Sequence, residues 1–145
     1  MNKAPLITAV EVSGPMKLAL AWSTGENLDI DLADTINRHS IFAPLSDPAA
    51  FSQVVVDEWG HGLGWPGGLD MGADRLYQLC REQAGLLSPV AFDGWIKNNS
   101  LSLTTAANAL GMTRRMIAHY RSGSRPIPKT VQLACIGWET LKKAA

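Results

Sequence analysis

The chain has 145 residues, 46% hydrophobic and 18% charged, with a formal net charge of zero, which fits one ordinary domain or two small ones. No apolar run approaches the roughly 20 residues of a membrane span, and the opening stretch MNKAPLITAVEVSGP lacks the charged-then-apolar order of a signal peptide, so a cytoplasmic protein without membrane contact is expected. The zero net charge hides a split: residues 1–85 carry five basic against eleven acidic side chains, and residues 86–145 carry eight against two. That asymmetry predicts two modules with different partners. The basic one has the sign nucleic acid requires.

In chain order, residues 6–12 (LITAVEV) are rich in β-branched side chains and predict a strand. Ser13-Gly14-Pro15 predicts a turn, and residues 16–22 (MKLALAW) the partner strand. After a second turn at residues 23–26, residues 27–32 alternate Leu28, Ile30 and Leu32 with polar neighbours. The three make an antiparallel meander with one buried face. Residues 34–41 are ambiguous. Ser46-Asp47-Pro48 opens a short helix, because proline suits a first helical position, and Phe51 anchors it. Residues 52–59 (SQVVVDEW) predict a further strand. Gly60-His61-Gly62 turns it into a short strand ending at Trp65-Pro66, and residues 69–83 predict a helix packed through Leu76, Tyr77, Leu79 and Cys80.

A boundary is expected at residues 83–89, and residues 90–98 supply a helix that buries Phe92, Trp95 and Ile96. Ser102 caps a helix over residues 103–110, and Gly111 ends it in a left-handed conformation free of a Cβ penalty. Thr113 caps a second helix over residues 114–121, and Gly123 closes it. Turning about 100° per residue from Ile117 puts Tyr120 and Met116 on the inner side. Arg115, Ala118, His119 and Ser122 then face outward, with Arg114 and Arg121 on the flank. Forked arginine donors match the O6/N7 edge of guanine, and a major groove admits one α-helix. Ala118 lets the backbone approach closely, while Ala106-Ala107 lets the two helices cross closely. A last helix, residues 129–143, carries an apolar stripe of Val131, Ala134, Cys135, Trp138 and Leu141, read as core or partly as dimer interface.

The stretch Leu101-Ser102, Ala106-Ala107, Gly111, Met112, Thr113, Ile117, Tyr120, Gly123 resembles the lambda-repressor/Cro-like helix-turn-helix domains of bacterial and phage regulators. The resemblance runs on through Arg125-Pro126-Ile127-Pro128. It departs at Arg121, where many members have Glu, and at Leu103, where Gln is common. It implies that Arg114, Arg115 and His119 read base edges. Residues 4–80 look like a small bacterial domain family of unknown function. The likeness rests on Pro44-Leu45, Asp47-Pro48, Phe51, Trp65-Pro66, Gly68, Asp70, Leu76 and Tyr77. Members of that family are often encoded beside a small toxin, which implies an antitoxin or autoregulator by association.

Other motifs carry less. Gly62-Leu63-Gly64-Trp65-Pro66-Gly67 matches G-x-G-x-x-G, yet Pro66 and the following glycines prevent a helix start there, and Leu87 stands where an acid is needed. A glycine-rich hairpin is the better reading. His61 lies near Asp57, Glu58 and Asp70 without a second histidine at ligand spacing. Cys80 and Cys135 show no C-x-x-C pattern and read as buried thiols. No nucleophile or zinc-hydrolase motif is present, so no enzyme activity, catalytic residue, metal or cofactor is expected.

These readings combine into one expectation. Residues 1–84 form an α+β domain of antiparallel strands plus short helices, and residues 85–145 form an all-α lambda-repressor-like helix-turn-helix domain. The site on double-stranded DNA comprises Thr113, Arg114, Arg115, Ala118, His119, Arg121, Ser122, Arg125 and Lys129. Arg121, Arg125 and Lys129 meet phosphate, and Thr113 donates at a helix N-terminus. The protein is expected to regulate transcription as a homodimer, with a toxin as possible partner of residues 1–84. The competing expectation is a protein-interaction module whose helix-turn-helix no longer binds DNA.

Overall fold

Side chains alternate across the first three strands, and this builds the first sheet. Strands β1 (Ile7–Gly14), β2 (Lys17–Trp22) and β3 (Asn27–Asp31) pair antiparallel in that order. Leu18, Leu20 and Trp22 of β2 are buried, whereas the intervening positions are not, as the two-residue period of a strand dictates. Leu18 pairs across to Val12 and Ile30, and Leu20 to Val10 and Leu28. The computed structural model describes residues 3–144, and they divide into a unit of residues 5–84 and a unit that takes in residues 3–4 and 85–144.

Helix α1 (Ala33–Arg38) and a 3-10 segment (Ser40–Ser46) occupy the ambiguous stretch and bury Ile36 and Leu45. Asp47 caps the short helix α2 (Pro48–Phe51), with Pro48 at its first turn. Phe51 stacks on Trp65 at 6.1 Å, and the Trp65 indole Nε1 donates to the Phe51 carbonyl at 3.1 Å. A second antiparallel sheet then forms from β4 (Val55–Val56), β5 (Gly62–Trp65) and β6 (Leu69–Gly72). Two expected elements change here. The strand expected over residues 52–59 shrinks to β4, because the Asp57 carboxylate accepts the backbone N–H groups of Trp59 and His61 and folds a turn. The helix expected from residue 69 starts at residue 73, as α3 (Ala73–Gln83), because Leu69 and Met71 pair with Trp65 and Leu63 of β5.

Gly60 joins the first sheet to the turn before the second. Its carbonyl accepts from the Ile7 N–H at 2.9 Å, its φ is +74°, and a Cβ there would lie 2.6 Å from the Ile7 carbonyl oxygen. Only glycine adopts that backbone without strain.

The second unit is helical: α4 (Pro89–Asn98), α5 (Leu103–Leu110), α6 (Arg114–Ser122) and α7 (Lys129–Ala144). Phe92, Ile96, Ala106, Ile117, Val131 and Cys135 meet in its core. Trp95 packs edge-on against Trp138 at 5.5 Å. No helix among the described residues is long and apolar enough to cross a membrane.

The expected fold class is therefore corrected. The strands of residues 5–84 part into two three-stranded sheets, because α1 and α2 intervene and carry the chain to a new set of partners. The C-terminal unit is a bundle of four helices among its described residues. Its core of aromatic and small side chains is that of a helical bundle and does not define a lambda-repressor-like domain.

Candidate nucleic-acid interface

Local capping fixes the α5–α6 pair. The Ser102 hydroxyl accepts from the Thr105 N–H at 3.1 Å, and the Thr105 hydroxyl accepts from the Ser102 N–H at 2.7 Å, a reciprocal capping box. Gly111 ends α5 with φ +69°, and the Met112 N–H donates to the Ala107 carbonyl at 2.9 Å. The Thr113 hydroxyl accepts from the Met116 N–H at 3.2 Å and starts α6 two residues after Gly111. Ala106 and Ala107 are buried, and their small side chains permit the close crossing.

One face of α6 is therefore committed to the core and the other is available. Ile117 and Tyr120 are buried; Tyr120 meets Phe92 edge-on at 6.2 Å. Thr113, Arg114, Arg115, Arg121, Arg125 and Lys129 are exposed, and Ala118, His119 and Ser122 are half-buried. Lys129 stands on α7, a different element from the rest.

Three of these residues have partners that the sequence did not announce. Arg121 Nε donates to Asp93 Oδ1 at 2.9 Å, and Lys97 Nζ lies 2.8 Å from Asp93 Oδ2. The hydrogen bond from Lys97, with Arg121 beside it, holds the Asp93 carboxyl below its ordinary range. His119 Nδ1 lies 2.7 Å from Ser124 Oγ, and Ser122 Oγ donates to the His119 carbonyl at 3.1 Å. Reduced solvation, then the charges of Arg125 and Arg115, hold His119 below the usual imidazole range. Both charges disfavour the imidazolium form of His119. Asp93 and Ser124 were absent from the expected site. One available signal was that Asp93 is one of only two acids after residue 85; the other was the Ser122-Gly123-Ser124 run around a helix end.

The remaining candidates resolve into structure. Gly62–Trp65 is strand β5, and Gly67 and Gly68 turn it into β6 with φ of +91° and +82°. His61 is exposed beside a turn whose Asp57 carboxylate is already occupied. Among the described residues no group of three His, Cys, Asp or Glu side chains could hold a metal. Tyr77 is buried and donates its hydroxyl to Glu26, which also accepts from Arg81 at 3.0 Å and Thr24 at 2.7 Å. Burial first, then Glu26, drives the Tyr77 phenol upward. Burial likewise raises the thiols of Cys80 and Cys135, to about 12 and about 11, so both stay protonated at neutral pH.

Comparison with known proteins follows the same division. The sequence profile of a family described as "Protein of unknown function (DUF2442)" matches residues 7–82. No curated protein matches the chain. A crystal structure from Nitrosomonas europaea, described as that of a "putative DNA binding protein", is similar over both units. It shares 44% sequence identity at a TM-score of 0.80, covering 96% of this chain and 90% of that one. With its profile spanning more than half of the sequence, this chain belongs to the DUF2442 family.

Proposed function

We propose that the protein binds double-stranded DNA sequence-specifically through α6 and regulates transcription. The observation that carries this is the outer side of α6. Arg114 and Arg115 are exposed there on a helix whose opposite side is held by Ile117 and Tyr120. A helix backed by a core and fronted by forked donors has the shape and charge for a major groove. The description of the Nitrosomonas europaea protein supports the same reading.

In this reading Arg114, Arg115 and His119 contact base edges, Ala118 permits close approach, and Thr113 meets phosphate at the α6 N-terminus. Ser122 serves the geometry of His119 rather than DNA itself, since its hydroxyl is directed to the helix backbone. Arg125 and Lys129 contact phosphate. Arg121 contributes less, because Asp93 holds it. A homodimer would place two α6 helices in successive major grooves about 34 Å apart. The exposed Leu133, Ile136 and Leu141 of α7 favour such self-association. The acidic unit of residues 5–84 would be repelled by phosphate and take a protein partner; a toxin there would make the whole an antitoxin.

An electrophoretic mobility shift with the DNA upstream of its own gene tests the reading. A discrete shift that resists competition by unrelated duplex is expected. Equal competition by every sequence, or no shift at low salt, would favour a protein-interaction module instead.

A further inference from the structure

The end of α6 carries two serines, Ser122 and Ser124, whose hydroxyls converge on His119. Ser122 Oγ lies 3.1 Å from the His119 carbonyl and 3.1 Å from Ser124 Oγ. Ser124 Oγ lies 2.7 Å from His119 Nδ1 and 3.4 Å from the His119 carbonyl. Two hydroxyl protons must be shared among these contacts. If Ser122 donates to the carbonyl and Ser124 donates to Nδ1, the Ser124 proton takes the shortest contact, 2.7 Å, and the Ser122 proton one of 3.1 Å. The alternative turns Nδ1 into the donor and leaves the Ser124 proton, among protein acceptors, the 3.4 Å contact, beyond the usual range of an O–H bond, with solvent as the other acceptor. The first allocation wins. It makes Nδ1 an acceptor, so the neutral ring carries its proton on Nε2.

We infer that Ser124 is a positioning residue that fixes the His119 ring as an Nε2–H donor toward DNA. The inference rests on the DNA-reading role of α6 and sharpens it. An outward donor accepts only base edges that offer an acceptor: N7 or O6 of guanine, N7 of adenine, or O4 of thymine. The N4 amino group of cytosine offers a second donor and is rejected. The ring's preference for the neutral form keeps this tautomer, rather than the imidazolium, in place near neutral pH. Ser122 holds the helix end through its back-bond to the carbonyl, and the Ser124 N–H donates to Ser122 Oγ at 3.3 Å, which keeps the second serine within reach of the ring.

The test reads the ring before any DNA is added. In the full chain, nitrogen NMR of His119 should show Nδ1 unprotonated and Nε2 protonated. Ser124→Ala should shift the ring toward a mixture, and Ser124→Thr should retain the wild-type state. A protonated Nδ1 in the wild type, or an unchanged tautomer in Ser124→Ala, would overturn the inference. On a duplex selected from random sequence, wild type should discriminate against cytosine at the contacted position, and Ser124→Ala should lose several-fold of that discrimination. Retained discrimination would also overturn it. A wild type with the Nε2 proton that binds no duplex would support the latch and overturn the DNA reading.

Discussion

Arg121 Nε lies 2.9 Å from Asp93 Oδ1, so the last cation of α6 is clamped to α4. The same carboxylate also holds Lys97 at 2.8 Å. One acid thus neutralises two of the eight bases that follow residue 85. Asp93→Asn should release both and tighten binding to any duplex. The slope of log affinity against log salt should steepen by about one unit per released phosphate contact. An unchanged slope would show that neither cation can reach DNA.

The same substitution has a stability consequence with a defined sign. The folded Asp93 pKa lies below its ordinary value, so the pair's contribution is complete above the unfolded carboxylate pKa of about 4. It fades as pH falls through the lower folded value. Asp93→Asn should cost roughly 0.5–1 kcal/mol at neutral pH, the scale of a partly exposed pair. Denaturant melts of wild type and variant should converge as the pH falls below the ordinary carboxylate range. A constant gap at all pH values would place the loss elsewhere.

Arg115→Ala should cost roughly 1–3 kcal/mol at the preferred sequence and relax preference at one base pair. Competition binding with single-base variants measures both effects. Equal weakening on every sequence would make Arg115 a phosphate contact.

Arg125→Ala should behave in the opposite manner. It is exposed beyond the end of α6, a place that suits phosphate, so affinity should fall uniformly across sequences and the salt slope should drop by about one unit. Loss of preference at a single position would make it a base reader.

Gly60→Ala tests the first unit. The left-handed backbone and the 2.6 Å approach to the Ile7 carbonyl should together cost about 1–3 kcal/mol. A chemical melt followed through the environment of Trp22 reads the loss. Wild-type stability would mean that the Ile7–Gly60 junction relaxes freely.

Local chemistry was readable in the sequence, and remote pairing was not. Ser102, Gly111, Thr113 and Gly123 each act within four residues, through a hydroxyl cap or a positive φ, so the ends of α5 and α6 follow from the residues themselves. The outward positions of Arg115 and the inward turn of Ile117 follow from helical angle alone. Residues 69–72 read as the start of the helix packed through Leu76, Tyr77, Leu79 and Cys80; what makes them a strand is β5, a partner set by a hairpin turn of two glycines. Val54, Val55 and Val56 suggested a long strand, but the Asp57 side chain ends the pairing by folding back on its own backbone. The Asp93–Arg121 clamp spans 28 residues, and no local pattern signals which of several arginines an acid on another helix will choose. The same holds for Tyr77, whose hydroxyl finds Glu26 across 51 residues.

The most direct test is an amide NMR titration of the full chain with a duplex selected from random sequence. The account predicts shifts concentrated over residues 113–125, with the strands of residues 7–72 unmoved. Shifts confined to those strands, with α6 silent, would contradict it.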